Sequence, residues 1–308
     1  MPGPRPVRRP PEPVSAASPC SRPTRWSRSR SARPNRASWS DVGRQERLQA
    51  ARSFDASRFV PFVADGRVLG HVRHDHAELL RRFDEILVVG EAGIGFRPAL
   101  ATHVERSEAM ARIAHRFAIE GRLSAWRDET YDIACEDGGS AAFVLERCAV
   151  RFFGFTARAV HVNGVTQTDG RAAMWIARRS PHKAIDPGML DNMVGGGLAS
   201  GLSIEATLVK EAWEEAGIGE RLARAARAAN TLRVLREVPE GLHAEIIHVY
   251  DLDLPGDFAP LNQDGEVAEF RRLSLQEVAR ELEGDAPYTV DAALVALDCL
   301  ERHGLRLR

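Results

Sequence analysis

Residues Gly195 to Ile218, GGGLASGLSIEATLVKEAWEEAGI, join a glycine-rich loop to a single helix dense in carboxylates, and this junction constrains the fold more than any other stretch. Ser203 is placed to cap the helix, Glu205 lies in the first turn where the helix dipole favours negative charge, and Gly217 can close the far end. The pattern predicts a helix over residues 203–216. Glu211, Glu214 and Glu215 stand at i, i+3 and i+4, so their side chains converge on one face. Crowded like charges repel, and a divalent cation removes the repulsion; hard oxygen ligands suit Mg2+ or Mn2+. The spacing by itself also fits a solvated acidic face, and it is the glycine loop ahead of the helix that favours a metal-diphosphate site.

Around this junction the chain sorts into three parts. Residues 1–40 are rich in Pro, Arg and Ser with little periodic apolar pattern, which predicts disorder. Their Arg/Ser-rich, acid-poor composition is that of a transit peptide, but the prolines and the missing apolar face favour a dispensable tail or an overlong start. Residues 41–158 read as a smaller N-terminal α+β accessory domain: a short helix over 43–53, two strands about Asp65-Gly66, a glycine turn after EILVVG and an amphipathic helix in SEAMARIAHRFAIEG. His71, His74 and His76 alternate with Val72, Arg73 and Asp75, a pattern of exposed polar residues more than of metal ligands. Residues 159–308 change texture, with a strand pair around Thr168-Asp169-Gly170, the central helix, helical continuation over 218–229, two further strands, and closing helices near 275–284 and 288–303. Strands around one helix, then strands and terminal helices, indicate a mixed α/β sandwich.

Charge and cysteine usage narrow the function. The tail holds nine arginines and one acid, which leaves the rest with 33 basic against 42 acidic residues. An acidic folded part without a basic stripe argues against nucleic acid. No apolar run approaches a membrane span, so a soluble, cytoplasmic protein without a membrane partner is expected. Cys20, Cys135, Cys148 and Cys299 lack a CxxC pair, the pattern of reduced thiols. Only Lys183 and Lys210 are lysines, and both fall in or just before the glycine-helix stretch. A compact ammonium differs from guanidinium in geometry and hydration, which gives that placement a chemical meaning.

The stretch resembles the Nudix box, G-x5-E-x7-R-E-U-x-E-E-x-G-U with U aliphatic. Gly196 opens it, and Glu211, Ala212, Glu214, Glu215, Gly217 and Ile218 fill its closing half. Leu202 replaces the first glutamate and Lys210 the arginine, which retains the charge without the bidentate fork. ERCAVRFFGFTARAVHVNGV, MWIARRSPHKAIDPGMLDNMVGGG and VYDLDLPGDFAPLNQDGEVAEF extend the resemblance over roughly residues 58–305, to the branch with an extra N-terminal domain that is fused to thiamine pyrophosphokinase in fungi. This chain has no room for the kinase, so a Nudix half standing alone is expected.

The resemblance implies a Nudix-type α/β/α sandwich with a mixed sheet and Mg2+-dependent hydrolysis of a small organic diphosphate. Glu211, Glu214 and Glu215 would be the catalytic and metal-binding set, with the Gly196 carbonyl as a further ligand and Glu211 as a candidate to orient or deprotonate water. A glutamate from a later loop often joins such sites: Glu266 is the first candidate and Glu269 the second, each also readable as surface charge. Lys210 and Gly217 would serve the motif structurally. Arg178, Arg179 and Lys183 precede the loop and are candidates for the substrate phosphates, or else solvated strand ends. Trp175 reads as core; His161 and Asn163 belong to the branch-specific HVNG segment. The branch implies thiamine diphosphate or its oxidised analogues as substrate. Nucleoside diphosphate sugars or dinucleotides are the alternative within the same chemistry, and a non-catalytic diphosphate-binding module is the alternative outside it. Isomerisation of isopentenyl diphosphate normally needs a cysteine near the box, which is missing here.

Overall fold

The computed structural model describes residues 41–136, 138–168 and 170–305. The tail expected to be disordered and Asp169 of the expected turn lie outside the described residues.

The accessory region begins with α1 (Asp41–Ala50), then β1 (Phe59–Ala64) and β2 (Arg67–Arg73). Asp65 and Gly66 both take positive φ, 51° and 72°, the two-residue turn that matches the twist of a hairpin. After α2 (His74–Leu80), β3 (Leu87–Gly90) and β4 (Gly93–Phe96) complete a sheet of order β2-β1-β4-β3. The glycine turn here is a plain hairpin connection. Helix α3 (His103–Ile119) starts at a capping box between Thr102 and Glu105 and buries Ala109, Met110, Ile113, Ala114 and Phe117. The hairpin β5 (Thr130–Ile133) and β6 (Phe143–Glu146) and the short α4 (Val150–Phe153) follow. Phe62, Phe117, Phe143, Phe153 and Phe155 are fully buried, with Phe62 edge-on to Phe155 at 5.0 Å. Burying each such ring contributes about 1.5–3 kcal/mol.

One histidine departs from expectation. His76 is buried, stacked on Phe152 at 3.9 Å, with Nδ1 donating to the Phe152 carbonyl at 3.0 Å and Nε2 accepting from Arg73 at 2.9 Å. The alternation read as surface polarity hid it because α2 begins at His74, which turns the third histidine inward.

The second region is built on β7 (Thr156–Thr168) and β8 (Arg171–Arg179), then β9 (Leu190–Asn192), β10 (Val194–Gly197), α5 (Ile204–Ala216), α6 (Glu220–Ala223), β11 (Arg227–Val238), β12 (Gly241–Leu254), β13 (Val267–Ser274), α7 (Leu275–Glu283) and α8 (Val290–Arg302). The sheet runs β11-β12-β7-β8-β13, with β10 on β7 and β9 on β8. The β7–β12 pair is parallel and the others antiparallel, so the sheet is mixed. Val160, Val162 and Leu252 face α5 through Leu208, Ala212 and Ala216; Ile247 and Val249 face Leu294 and Val295 of α8. Side chains alternate across each strand, so one strand feeds both layers and the result is an α/β/α sandwich. Helix α1 lies against α7 and α8, with Arg47 donating to the carbonyls of Leu282, Gly284 and Ala286.

The helical continuation expected over 218–229 is a correction. Only Glu220–Ala223 is helical, and β11 already pairs at Arg227 with Asp251. RAARAAN has high helix propensity, but a twelve-residue antiparallel ladder with β12 outweighs a preference worth a few tenths of a kcal/mol per residue.

Candidate metal-diphosphate site

Strand β10 delivers the glycine loop to the helix. A Cβ on Gly196 would lie 2.3 Å from Cδ and 2.4 Å from Cγ of Glu211, so only glycine lets that carboxylate rest against the strand. A Cβ on Gly197 would stand 1.8 Å from the Tyr131 hydroxyl. Ser203 caps α5, its side chain accepting from the Ala206 N–H at 3.1 Å. Gly217, at φ 65°, ends the helix: its N–H donates to Trp213 O, and the Ile218 N–H reaches Ala212 O.

The three carboxylates sit at graded depths. Glu215 is 7% exposed, and its Oε2 accepts from the Gly195 N–H at 2.7 Å. Burial raises its carboxyl well above the usual range, the Gly195 bond opposes this, and Glu211 and Asp191 add to the rise. Burial also raises Glu211, against the pull of Lys210. Lys210 Nζ donates to Glu211 Oε1 at 3.0 Å and to Glu214 Oε2 at 2.6 Å, so one ammonium bridges both where the family motif has arginine. Burial works against its charge, but the bonds to Glu214 and Glu211 prevail and raise its pKa.

A later loop closes over the end of α5. The N–H groups of Leu261 and Gln263 donate to the carbonyls of Ala216 and Glu214, and Asn262 Nδ2 to that of Glu215. These helix-end carbonyls lack intrahelical partners, and satisfying them fixes where the loop runs. It brings Glu266 to a small cleft lined also by Glu215, Arg179, Asp191 and Val267. Glu266 pairs with Lys183 and, at 3.0 Å, with Arg127; burial alone would raise it, but these two cations hold it down at about 2. Glu269 instead pairs with Arg178 at 3.2 Å on an exposed edge. Arg178 also donates to Gly188 O, and Arg179 is engaged by Asp191 at 2.7 Å and by the carbonyls of Ile185 and Asp186. Of the three basic residues expected at the phosphates, Lys183 pairs with Glu266, and Arg179 lines the same cleft while it bonds the 185–191 loop; Arg178 is bonded to Glu269 and Gly188 at the exposed edge.

The donors fit a hard divalent cation: all are oxygens, buried Glu215 and half-buried Glu211 interact as like charges, and Gly196 keeps the space next to Glu211 free of a side chain. Trp175 is partly buried against the α5 core, as its strand position implies. His161 and Asn163 are buried and bonded to Asn192 and Asp251, at 2.7 and 3.0 Å, so they order the sheet.

Leu202, where the family's first glutamate stands, is 40% exposed, and its N–H donates only locally, to Ala199 O. The loop is held from outside. Ser200 N–H donates to Thr130 O at 2.7 Å, Ser200 Oγ to Asp132 Oδ1 at 2.6 Å, and Tyr131 packs on Gly197. All three partners belong to β5 of the accessory region. Sequence reasoning missed them, together with Arg127, because no local pattern links residues 68 positions apart, as Asp132 and Ser200 are, or 139 apart, as Arg127 and Glu266 are.

Residues 156–292 match the NUDIX domain, and residues 42–157 match a domain of unknown function, DUF4743. The chain is 35% identical over 249 residues to Nudix hydrolase 24, chloroplastic, of Arabidopsis thaliana, covering 80% of this chain and 68% of that relative. The chain belongs to the Nudix hydrolase family. Nudix hydrolase 20, chloroplastic, of the same plant is 33% identical over 255 residues, with the same coverage. A solved structure, DR0079 of Deinococcus radiodurans, covers 54% of this chain and 97% of its own at 24% identity and a TM-score of 0.43. This Nudix protein is thus a diphosphate hydrolase of a family that generally uses divalent metal ions, and it carries a DUF4743 region ahead of the catalytic fold.

Proposed function

We propose that Glu211, Glu214 and Glu215, with the Gly196 carbonyl and Glu266, hold Mg2+, with Mn2+ as a substitute, and that the substrate is thiamine diphosphate or its oxidised oxo and oxy analogues, converted to the monophosphate and phosphate. The observation that carries the metal site is the pairing of two like charges, buried Glu215 and half-buried Glu211, beside a glycine backbone that makes room for Glu211. The cation, when bound, neutralises phosphate oxygens and draws charge from the scissile anhydride. Glu211 carries the proton-accepting role toward water: burial raises its carboxyl above the usual range, and no backbone N–H among the described residues ties it down as one does Glu215. Lys210 holds Glu211 and Glu214 in register. Lys183 steadies Glu266 and adds positive charge where the phosphate end would enter. The thiamine assignment rests on the branch resemblance along residues 58–305.

The test is a panel with the purified protein and Mg2+: thiamine diphosphate, its oxo and oxy analogues, nucleoside diphosphate sugars and dinucleotides, with monophosphate and phosphate quantified. The highest kcat/KM on an oxidised thiamine diphosphate supports the reading. Preference for a sugar nucleotide or dinucleotide removes the thiamine assignment alone, and no turnover of any diphosphate removes the catalytic one.

A further inference from the structure

A diphosphate brings more negative charge than one divalent cation offsets, so the cleft must supply side-chain cations as well. In the Nudix region they are largely committed. Arg179 is engaged by Asp191 and two carbonyls, Arg178 by Glu269 and a carbonyl, Lys210 by Glu211 and Glu214, and Lys183 by Glu266. Two further arginines come from the accessory region, Arg127 in contact with the cluster and Arg147 over the Tyr131 ring, whose hydroxyl packs against Gly197 of the glycine loop. Arg127 touches Glu266 through Nη1 at 3.0 Å and is 41% exposed. Arg147 bonds Glu129 through Nη1 at 2.8 Å, lies 5.8 Å from the centre of the Tyr131 ring, and is 38% exposed. Each guanidinium keeps donors that bond no protein group among the described residues. Arg147 acts on both Glu211 and Glu266 through charge.

The segment that carries Arg127 is built to aim it. Ala125 and Asp128 hold φ of 60° and 56°, a conformation that side-chain-bearing residues rarely adopt and that tends to cluster at ligand clamps. Asp128 accepts from Trp126 Nε1 at 2.7 Å, Trp126 stacks on His115 at 4.8 Å, and the Arg127 N–H donates to Glu146 at 3.2 Å. Strand β5 next to it grips Ser200 of the glycine loop, so arginines and loop share one support.

We propose that Arg127 and Arg147 bind the phosphate groups of the substrate, which makes the DUF4743 region one wall of the active site. The inference rests on the reading of the cleft as a diphosphate site. Glu129 and Tyr131 are positioning residues for Arg147, and the Trp126-Asp128 pair is one for Arg127.

The experiment uses the full chain and the best substrate of the panel. Arg127→Met and Arg147→Met are each expected to raise KM about ten- to hundredfold, the loss of a charge-assisted bond, a larger change than any in kcat, with thermal midpoint within about 2 °C. Arg127→Lys and Arg147→Lys should recover part of the affinity, which a merely structural role would not do, and they serve should a methionine variant fold poorly. Unchanged KM in an active variant, or a loss confined to kcat and thermal midpoint, overturns the assignment. If the wild type hydrolyses nothing, the catalytic reading fails separately, and calorimetry with methylenediphosphonate and Mg2+ decides the arginines. Binding weakened in both variants supports them, and binding that is absent or equal in all three proteins overturns them.

Discussion

Replacing Gly196 with alanine adds one methyl group where the structure has no room. Carbon atoms rest about 3.5–4.0 Å apart, and the new Cβ would sit 2.3 Å from Glu211 Cδ and 2.4 Å from Cγ. Relief requires a displacement of roughly 1–1.5 Å, either of the Glu211 carboxylate or of β10. The first route takes Glu211 from Lys210, its 3.0 Å partner; the second strains the β10–β7 pairing. Misplacing a reacting group by about 1 Å costs on the order of a hundredfold in rate, and overpacking costs about 1–3 kcal/mol. Gly196→Ala should therefore lower kcat about a hundredfold, while the thermal midpoint falls by no more than about 12 °C at roughly 2–4 °C per kcal/mol. The assay is Mg2+-dependent phosphate release beside thermal unfolding, with Gly256→Ala as control. Gly256 has an ordinary φ and its nearest neighbour would be 3.7 Å away, so that variant should be within about 0.5 kcal/mol of wild type and fully active. More than half the wild-type rate in Gly196→Ala would refute the placement of Glu211 at the reacting centre.

Ser200→Ala removes the side-chain bond to Asp132 and should lower kcat several-fold at a stability cost of about 1 kcal/mol; unchanged kinetics would mean that β5 does not set the loop's geometry. Burial holds His76 neutral in the folded protein, so its pKa is lowered there, whereas the unfolded chain takes up the proton near pH 6.5. Its contribution to stability is complete above that pH and is lost as pH falls toward the folded value, because the unfolded state then binds more protons. Denaturant titrations between pH 7 and pH 5 should show stability falling less, or rising more, in His76→Gln than in the wild type; His71 and His248, lowered the same way, act in the same direction in both proteins, and the raised Glu211 and Glu215 in the opposite one.

The glycine-helix junction was legible because its signals are local: a cap at Ser203, an αL stop at Gly217 and three glutamates on one helix face. The strand pair β7–β8 and the closing helices were legible from periodicity for the same reason. Residues 218–229 were not, since alanine-rich helix propensity competes with a ladder whose other half lies about twenty residues further on. His76 was misread because its burial depends on where α2 begins. The support of the loop was hidden more deeply. Leu202 showed that the usual glutamate was missing, but nothing near it pointed to Thr130 and Asp132, which reach Ser200 only through tertiary packing. Arg178 and Arg179 show a further limit: their position suggested phosphate, and only the fold shows which protein groups they also bond, Glu269 and Gly188 for Arg178, and Asp191 with the carbonyls of Ile185 and Asp186 for Arg179, which lines the cleft.

The metal-binding role of the carboxylate cluster is tested most directly by phosphate release against Mg2+ concentration in the wild type, Glu214→Gln and Glu215→Gln, with thermal unfolding measured alongside. Burial raises the Glu215 carboxyl, so its charge destabilises the fold at neutral pH, and Glu215→Gln, which retains an acceptor for the Gly195 N–H, should unfold no earlier than the wild type. The predicted result is saturable Mg2+ dependence in the wild type, abolished by chelator, and a fall of at least a hundredfold in both folded variants. Rates near wild type in both variants, or full activity in excess chelator, would contradict it.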